Sequence, residues 1–307
     1  MRYFSEQDVS QLVRPEQVIA VIRNAFTRDF QQTVQMPVRT QVDLEGSVLI
    51  LMPCYDSALK LAGVKTVTVN RQTGVSATYT LLDPSAGKTL AVMEANYLTE
   101  LRTAATSALA TDLLSRRDAK TLGIFGSGRQ AFAHLAVLPC VRNFEKYLVC
   151  GSGRNDLSGF CGLVKTELGI ELKAVDAESC VRESDVVCTC TTSPQPLFQG
   201  DWLRRGTHLN LVGAFQPHTR EVDSKTVQRA RVVVDTYDGC IAEAGDLVIP
   251  MKEQVITRNH ILADLHEVAS NERPVRQSAE DITLFKSVGC ALEDLVVAKL
   301  VYEAAYA

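Results

Sequence analysis

The chain has 307 residues, of which 46% are hydrophobic and 22% charged. Its net charge is −4 and its pI near 5.8, a balance that argues against a nucleic-acid surface. The length predicts a large core split over two domains, and no stretch reaches the roughly 18 apolar residues that a membrane span needs.

The first hundred residues read as α+β. Apolar positions over 13–30 recur at helical spacing, with Pro15 near the start, where a missing N–H costs nothing. Strand-like runs follow at 47–52, 63–69 and 76–82, and the turn Asp83-Pro84-Ser85-Ala86-Gly87 leads into another at 89–93. Thr99 reads as the N-cap of an alanine-rich helix reaching about Ser115.

From residue 120 strands alternate with helices. Strands are expected at 121–125, 146–150, 171–175, 185–190, 208–212 and 231–235, mostly separated by helical segments. That rhythm predicts a doubly wound parallel sheet. The stretch 287–306 reads as a helix returning to the first domain. The fold class is therefore α/β: a Rossmann domain over 116–285, inserted in an α+β domain made of 1–115 and 286–307.

Nine cysteines are an odd number with no C-x-x-C spacing, and the nearest pair is Cys188 and Cys190. They read as small buried side chains in a reducing compartment. The five histidines, at 134, 208, 218, 260 and 266, show no ligand spacing, so no metal site is expected. The start Met-Arg-Tyr-Phe-Ser-Glu-Gln-Asp is mixed and charged, unlike a secretory signal, and a cytoplasmic location is expected.

The strand at 121–125 runs straight into Gly126-x-Gly128-x-x-Ala131. Gly126 permits a tight turn, Gly128 lets backbone approach a pyrophosphate, and Ala131 allows close helix–sheet packing. The following helix aims its unpaired N–H groups and positive dipole end at the phosphates. Dinucleotide binding is expected here, with Arg129 and Gln130 beside the phosphates. The strand at 146–150 ends in Gly151-Ser152-Gly153-Arg154-Asn155, with no carboxylate before Asp156. An acid there reads the ribose 2′-hydroxyl of NAD. Ser152 and Arg154 suit a 2′-phosphate instead, so NADP(H) is expected over NAD(H).

Ordered segments along nearly the whole chain carry a resemblance to a known family. They include Leu51-Met52-Pro53, Gly63-Val64-Lys65, Leu101-Arg102-Thr103-Ala104-Ala105-Thr106-Ser107-Ala108 and the glycine loop with Gln130. They continue through Asp185-Val186-Val187, Leu211-Val212-Gly213-Ala214, Glu243-Ala244-Gly245-Asp246, Phe285-Lys286-Ser287-Val288-Gly289 and Leu292-Glu293-Asp294. The chain thereby resembles the ornithine cyclodeaminase/mu-crystallin family. The resemblance implies a substrate-binding first domain that forms a homodimer, NAD(P) binding, and action on α-amino or α-imino acids. By resemblance Arg39, Lys65 and Arg102 match the ligands of the substrate carboxylate, a role that suits a bidentate guanidinium. Lys65 and Arg102 are thus the expected catalytic residues, Lys65 also as a proton source in a crowded cationic pocket. Met52 and Phe215 are expected beside the substrate. Thr103, Thr191, Val212, Ser287 and Gly289 join the expected cofactor contacts.

Two departures bear on the substrate. Cyclodeaminases and archaeal-type alanine dehydrogenases carry Gly-Gly-Asp or Gly-Ala-Asp where this chain reads Gly213-Ala214-Phe215. A glutamate two residues before the cyclodeaminases' Met-Pro pair is here Ile50. An aromatic and an aliphatic suit an apolar ring better than the distal ammonium of a diamino acid. The expected reaction is NAD(P)H-dependent reduction of a cyclic 2-imino acid, Δ1-pyrroline-2-carboxylate or Δ1-piperideine-2-carboxylate, to L-proline or L-pipecolate. The alternatives are an amino-acid dehydrogenase or N-alkylating imine reductase acting on open-chain 2-oxo acids, an ornithine cyclodeaminase, and a non-catalytic NADPH-binding protein. His218 and Arg220 follow Phe215 closely, His218 reading as an exposed loop residue.

Overall fold

The structure is a computed structural model that describes residues 1–307 apart from 71, 73 and 152–156. Its chain divides into two compact units, one formed by 1–106 with 289–307 and the other by 107–288.

In chain order the first unit holds β1 (Arg2–Phe4), α1 (Glu6–Leu12), α2 (Pro15–Thr27), α3 (Phe30–Thr33), β2 (Val34–Gln35) and β3 (Thr40–Leu44). β4 (Ser47–Asp56), β5 (Leu61–Asn70), β6 (Gly74–Asp83) and β7 (Lys88–Glu94) follow. α4 (Asn96–Leu114) contains the unit boundary at Thr106. The strands form one sheet in the order β1-β7-β6-β5-β4-β2, with β3 also on β4, and among the described residues the β1–β7 pair is parallel and the other pairs antiparallel. Alternation gives the sheet one buried face: Ile50, Met52, Cys54 and Asp56 of β4, Lys65 of β5, and Ala77, Tyr79 and Leu81 of β6. The last helix of the chain packs on these strands and on α2.

The second unit runs β8 (Thr121–Phe125), α5 (Arg129–Val137), β9 (Lys146–Cys150), α6 (Ser158–Leu168), β10 (Leu172–Ala174), α7 (Ala177–Glu183) and β11 (Val186–Thr189). It continues with β12 (His208–Leu211), α8 (Ser224–Arg229), β13 (Arg231–Val234), α9 (Tyr237–Glu243), α10 (Gly245–Lys252), β14 (Ile261–Asp264), α11 (Leu265–Ala269) and β15 (Thr283–Lys286). Its strands are all parallel, in the order β10-β9-β8-β11-β12-β15-β13-β14. The chain's direction through the sheet reverses between β8 and β11, where an open parallel sheet leaves its ligand crevice. β8, β11 and β12 carry buried side chains on both faces, as a sheet covered by helices requires.

Three local expectations are corrected. Thr99 is no N-cap: its N–H already donates to Ala95 O at 2.9 Å inside a helix that starts at Asn96. The segment 287–306 is not one helix, because α12 (Ala291–Ala304) begins only after Gly289, whose φ of +79° a right-handed helix excludes. β14 and β15 were not among the expected strands. β15 ends in the charged Lys286, which hides an interior strand from an apolar-run criterion.

Candidate active site

The first unit gathers cations on the buried face of its sheet. Lys65 sits mid-strand in β5, opposite Met52 of β4 and Tyr79 of β6. It is 1% exposed, and its Nζ donates to Asp294 Oδ1 at 2.8 Å. Arg102 of α4 is also buried; its Nη1 donates to Glu293 Oε2 at 2.7 Å and its Nε lies 3.1 Å from Asp294 Oδ1. Arg39, in the link before β3, donates from Nη2 to the carbonyl of Gly289 at 3.1 Å. Gly289 has to be glycine twice over: its φ is +79°, and a Cβ there would stand 2.3 Å from Arg102 Nη1. Gly63 makes room in the same way for Tyr79, whose hydroxyl would lie 2.2 Å from its Cβ.

Removing these ions from water costs several kcal/mol each, so an apolar cluster of the same volume would serve stability as well or better. The arrangement suits the capture of an anion. Burial, then repulsion from Arg102, lowers the Lys65 pKa to about 8, and Asp294 opposes the shift. Burial also pulls on Arg102, but Asp294 and Glu293 reverse it and raise the guanidinium, which stays charged. Met52 is 4% exposed on the adjacent strand, and Ile50 lies two residues away on the same buried face. Thr103 is buried on α4, with its hydroxyl donating to Thr99 O at 2.7 Å.

In the second unit the loop after β8 has the shape of a phosphate cradle. Gly126 has a φ of +110°, and a Cβ there would meet Cys190 O at 2.6 Å. Gly128 is the N-cap of α5, and nothing lies within 4 Å of where its Cβ would be. Arg129 is exposed at the helix start, and Gln130 Oε1 is buried without a hydrogen-bond partner among the described residues. The open backbone and the first-turn N–H groups fit a pyrophosphate. His134 on α5 is spent structurally: its ring nitrogens lie 2.8 Å from Gln130 O and 2.9 Å from Ser107 Oγ, and burial lowers its pKa to about 4.

Thr191 and Val212 stand just past the carboxyl ends of β11 and β12, in the same row as the glycine loop. Ser287 follows β15 and donates to Asp235 Oδ2 at 2.9 Å. Phe215 is half-buried, with part of its side chain packed against the core of the second unit. Ser152 and Arg154 lie outside the described residues. His218 is exposed, and Arg220 is engaged with Ser224 and Glu253. Six cysteines, at 54, 150, 180, 188, 240 and 290, are buried, whereas Cys140 is exposed.

Residue-by-residue reading gave no role to the acids. Glu293 and Asp294 are both 0% exposed, and they are the only charges in the otherwise apolar run Ala291-Leu292-Glu293-Asp294-Leu295-Val296-Val297-Ala298. That isolation was the available signal. Glu221 had none: it lies in a loop, and its bonds to backbone and hydroxyl groups elsewhere in the chain mark it.

Comparison with known proteins gives a consistent picture. The family profile described as "Ornithine cyclodeaminase/mu-crystallin family" matches residues 3–307. A Bacillus cereus protein named Delta(1)-pyrroline-2-carboxylate reductase is 34% identical, the match covering 99% of this chain and 97% of the relative. The mouse (Mus musculus) ketimine reductase mu-crystallin is 32% identical over 98% of this chain and 96% of its own. Among solved structures, Thermococcus litoralis Delta(1)-pyrroline-2-carboxylate reductase in complex with NADH and L-proline superposes with a TM-score of 0.96. It is 37% identical, with 100% of this chain and 98% of that one covered.

Proposed function

The chain belongs to the ornithine cyclodeaminase/mu-crystallin family, and from that membership and its buried cation cluster we propose that it reduces the C=N bond of a cyclic 2-imino acid. The substrate is Δ1-pyrroline-2-carboxylate or its six-membered homologue, and the product L-proline or L-pipecolate. The observation that carries the reading is the set Arg39, Lys65 and Arg102, braced by Glu293, Asp294 and the carbonyl of Gly289. Relatives named for this reaction, and a solved relative holding NADH and L-proline, support it.

In this reading Arg102 and Arg39 grip the carboxylate, and Lys65 adds charge and a proton near the imine nitrogen. The imine is activated as its iminium, so the residues have mainly to orient the C2 carbon. A reduced nicotinamide supplies the hydride that adds to C2, while the C=N electron pair becomes the N–H amine lone pair. Gly126, Gly128, Arg129 and Gln130 hold the pyrophosphate, Thr103, Thr191, Val212, Ser287 and Gly289 complete the dinucleotide contacts, and Met52 and Phe215 present apolar surface to the ring. Ser152 and Arg154 take a 2′-phosphate, giving a preference for NADPH over NADH. The protein works as a homodimer joined through the first unit; β3, exposed along its whole length with Val42 and Leu44, supports such a face.

The test is turnover of NADPH and NADH with Δ1-pyrroline-2-carboxylate and Δ1-piperideine-2-carboxylate, against pyruvate plus methylamine and against L-ornithine. A cyclic imine is the expected best substrate by kcat/KM; preference for pyruvate plus amine, or oxidation-linked loss of ammonia from ornithine, overturns the reading. In the same assay Arg154→Ala is expected to weaken NADPH at least fivefold more than NADH. Equal effects on the two overturn the 2′-phosphate assignment.

A further inference from the structure

Glu221 is fully buried in the loop between β12 and α8, and its carboxylate collects five donors: one from the last residue of β11 and four from the loops that follow β11 and β12. Oε1 accepts from the N–H and the hydroxyl of Thr191, at 2.8 and 2.7 Å. Oε2 accepts from the Thr189 hydroxyl at 2.7 Å and from the N–H groups of Gly213 and Ala214 at 2.7 and 3.3 Å. The acid is itself anchored. Asp246 Oδ1 accepts the N–H groups of Glu221 and Val222 at 2.7 and 3.2 Å, and Asp246 Oδ2 lies 2.9 Å from Lys286 Nζ. Lys286 closes the ring by donating to Ala214 O at 2.6 Å. Asp246 and Lys286 are 0% exposed. Gly213 is fitted to the arrangement, since a Cβ there would lie 2.1 Å from Thr191 O and 2.4 Å from Glu221 Oε1.

What this ring holds is the pair of loops that follow β11 and β12. The sheet order fixes their place relative to a dinucleotide. The pyrophosphate cradle ends β8, the ribose of the adenosine half is read at the end of β9, and β11 and β12 lie on the other side of β8. Five bonds to one carboxylate leave those loops little freedom, and Lys286 balances a charge that burial and Asp246 disfavour. A buried carboxylate needs partners, but packing alone gives no reason to recruit them from two loops at the same edge of the sheet.

We propose that Glu221, anchored by Asp246 and Lys286, is a positioning residue that presets the loops at Thr191 and Gly213-Ala214 against the nicotinamide half of the dinucleotide. This rests on the nicotinamide reading given above. The test separates the two halves of the ligand by comparing Kd for ADP-ribose, which lacks the nicotinamide ring, with Kd for NADH and NADPH read from their own fluorescence. Glu221→Gln keeps the shape but places an N–H₂ against N–H or O–H donors. It is expected to leave ADP-ribose within about twofold of wild type while weakening the reduced dinucleotides at least tenfold. Thr189→Val removes one donor from the same oxygen without changing shape, and it is expected to move the same ratio about threefold. That variant decides the matter if Glu221→Gln does not fold. Equal weakening of ADP-ribose and the dinucleotides, or no weakening of either, assigns Glu221 to fold stability and overturns the proposal. A wild-type chain that binds ADP-ribose but neither NADH nor NADPH overturns the nicotinamide reading itself, and the positioning role with it.

Discussion

Asp294 faces both Lys65 and Arg102, yet the two cations shift in opposite directions: burial lowers Lys65 to about 8, whereas Asp294 and Glu293 outweigh burial at Arg102 and leave it raised. The difference has a chemical origin. A compact ammonium depends on solvation and shares its surroundings with Arg102 and Arg39, whereas the guanidinium spreads its charge over two acids. For activity, kcat/KM is expected to fall with slope one as pH rises through about 8, and the limb is expected to be absent in Lys65→Arg. For stability the sign is opposite. The folded pKa lies below the ordinary 10.5, so between about 8 and 10.5 the unfolded chain binds more protons and folding becomes more favourable as pH rises. Urea midpoints across that window check the second statement. Arg102→Ala removes a charge-assisted grip and is expected to lower kcat/KM by about 2–3 kcal/mol, roughly 30- to 150-fold, with kinetics on the cyclic imine as the measurement.

At the scale of elements, most of the proposed functional positions are set by where a strand or helix stops. α12 waits for Gly289 before turning helical, which puts Glu293 and Asp294 in its first turn, where the dipole favours acids. β8 gives way to a glycine loop, and α5 starts at Arg129 with its N–H groups open. Gly126 is the demanding point, since any side chain faces both a φ of +110° and the carbonyl of Cys190. Gly126→Ala is therefore expected to weaken ADP-ribose binding about tenfold or more, as measured by calorimetry. The same change at Gly128, whose surroundings are open, is expected to cost less while the site is empty of ligand.

At the scale of the molecule, each of the two units supplies one requirement of the proposed reaction: a buried set of cations in the first, and a glycine loop on a parallel sheet in the second. The proposed homodimer predicts a sedimenting mass of twice 33.6 kDa. Val42→Glu combined with Leu44→Glu on the exposed β3 is expected to shift the population toward monomer. A wild-type monomer across the micromolar range would contradict that assembly.

The parallel sheet, the glycine turn after β8 and the family were legible in the residues, because hydrophobic period, glycine spacing and motif order are local properties that a chain displays before it folds. Lys65, Arg102 and Arg39 were legible only as matched positions. The acids that pair with Lys65 and Arg102, Glu293 and Asp294, are 191 or more residues away along the chain, and nothing local says that acids and cations will meet. Glu221 is the clearest case for tertiary structure. Its five donors come from residues 7 to 32 positions away, at the end of β11 and in the loops after β11 and β12, and only the pairing of β11 with β12 brings them to one carboxylate. Burying a charge is tolerable only where the fold delivers its partners, so the fold alone decides which charged residues lie inside.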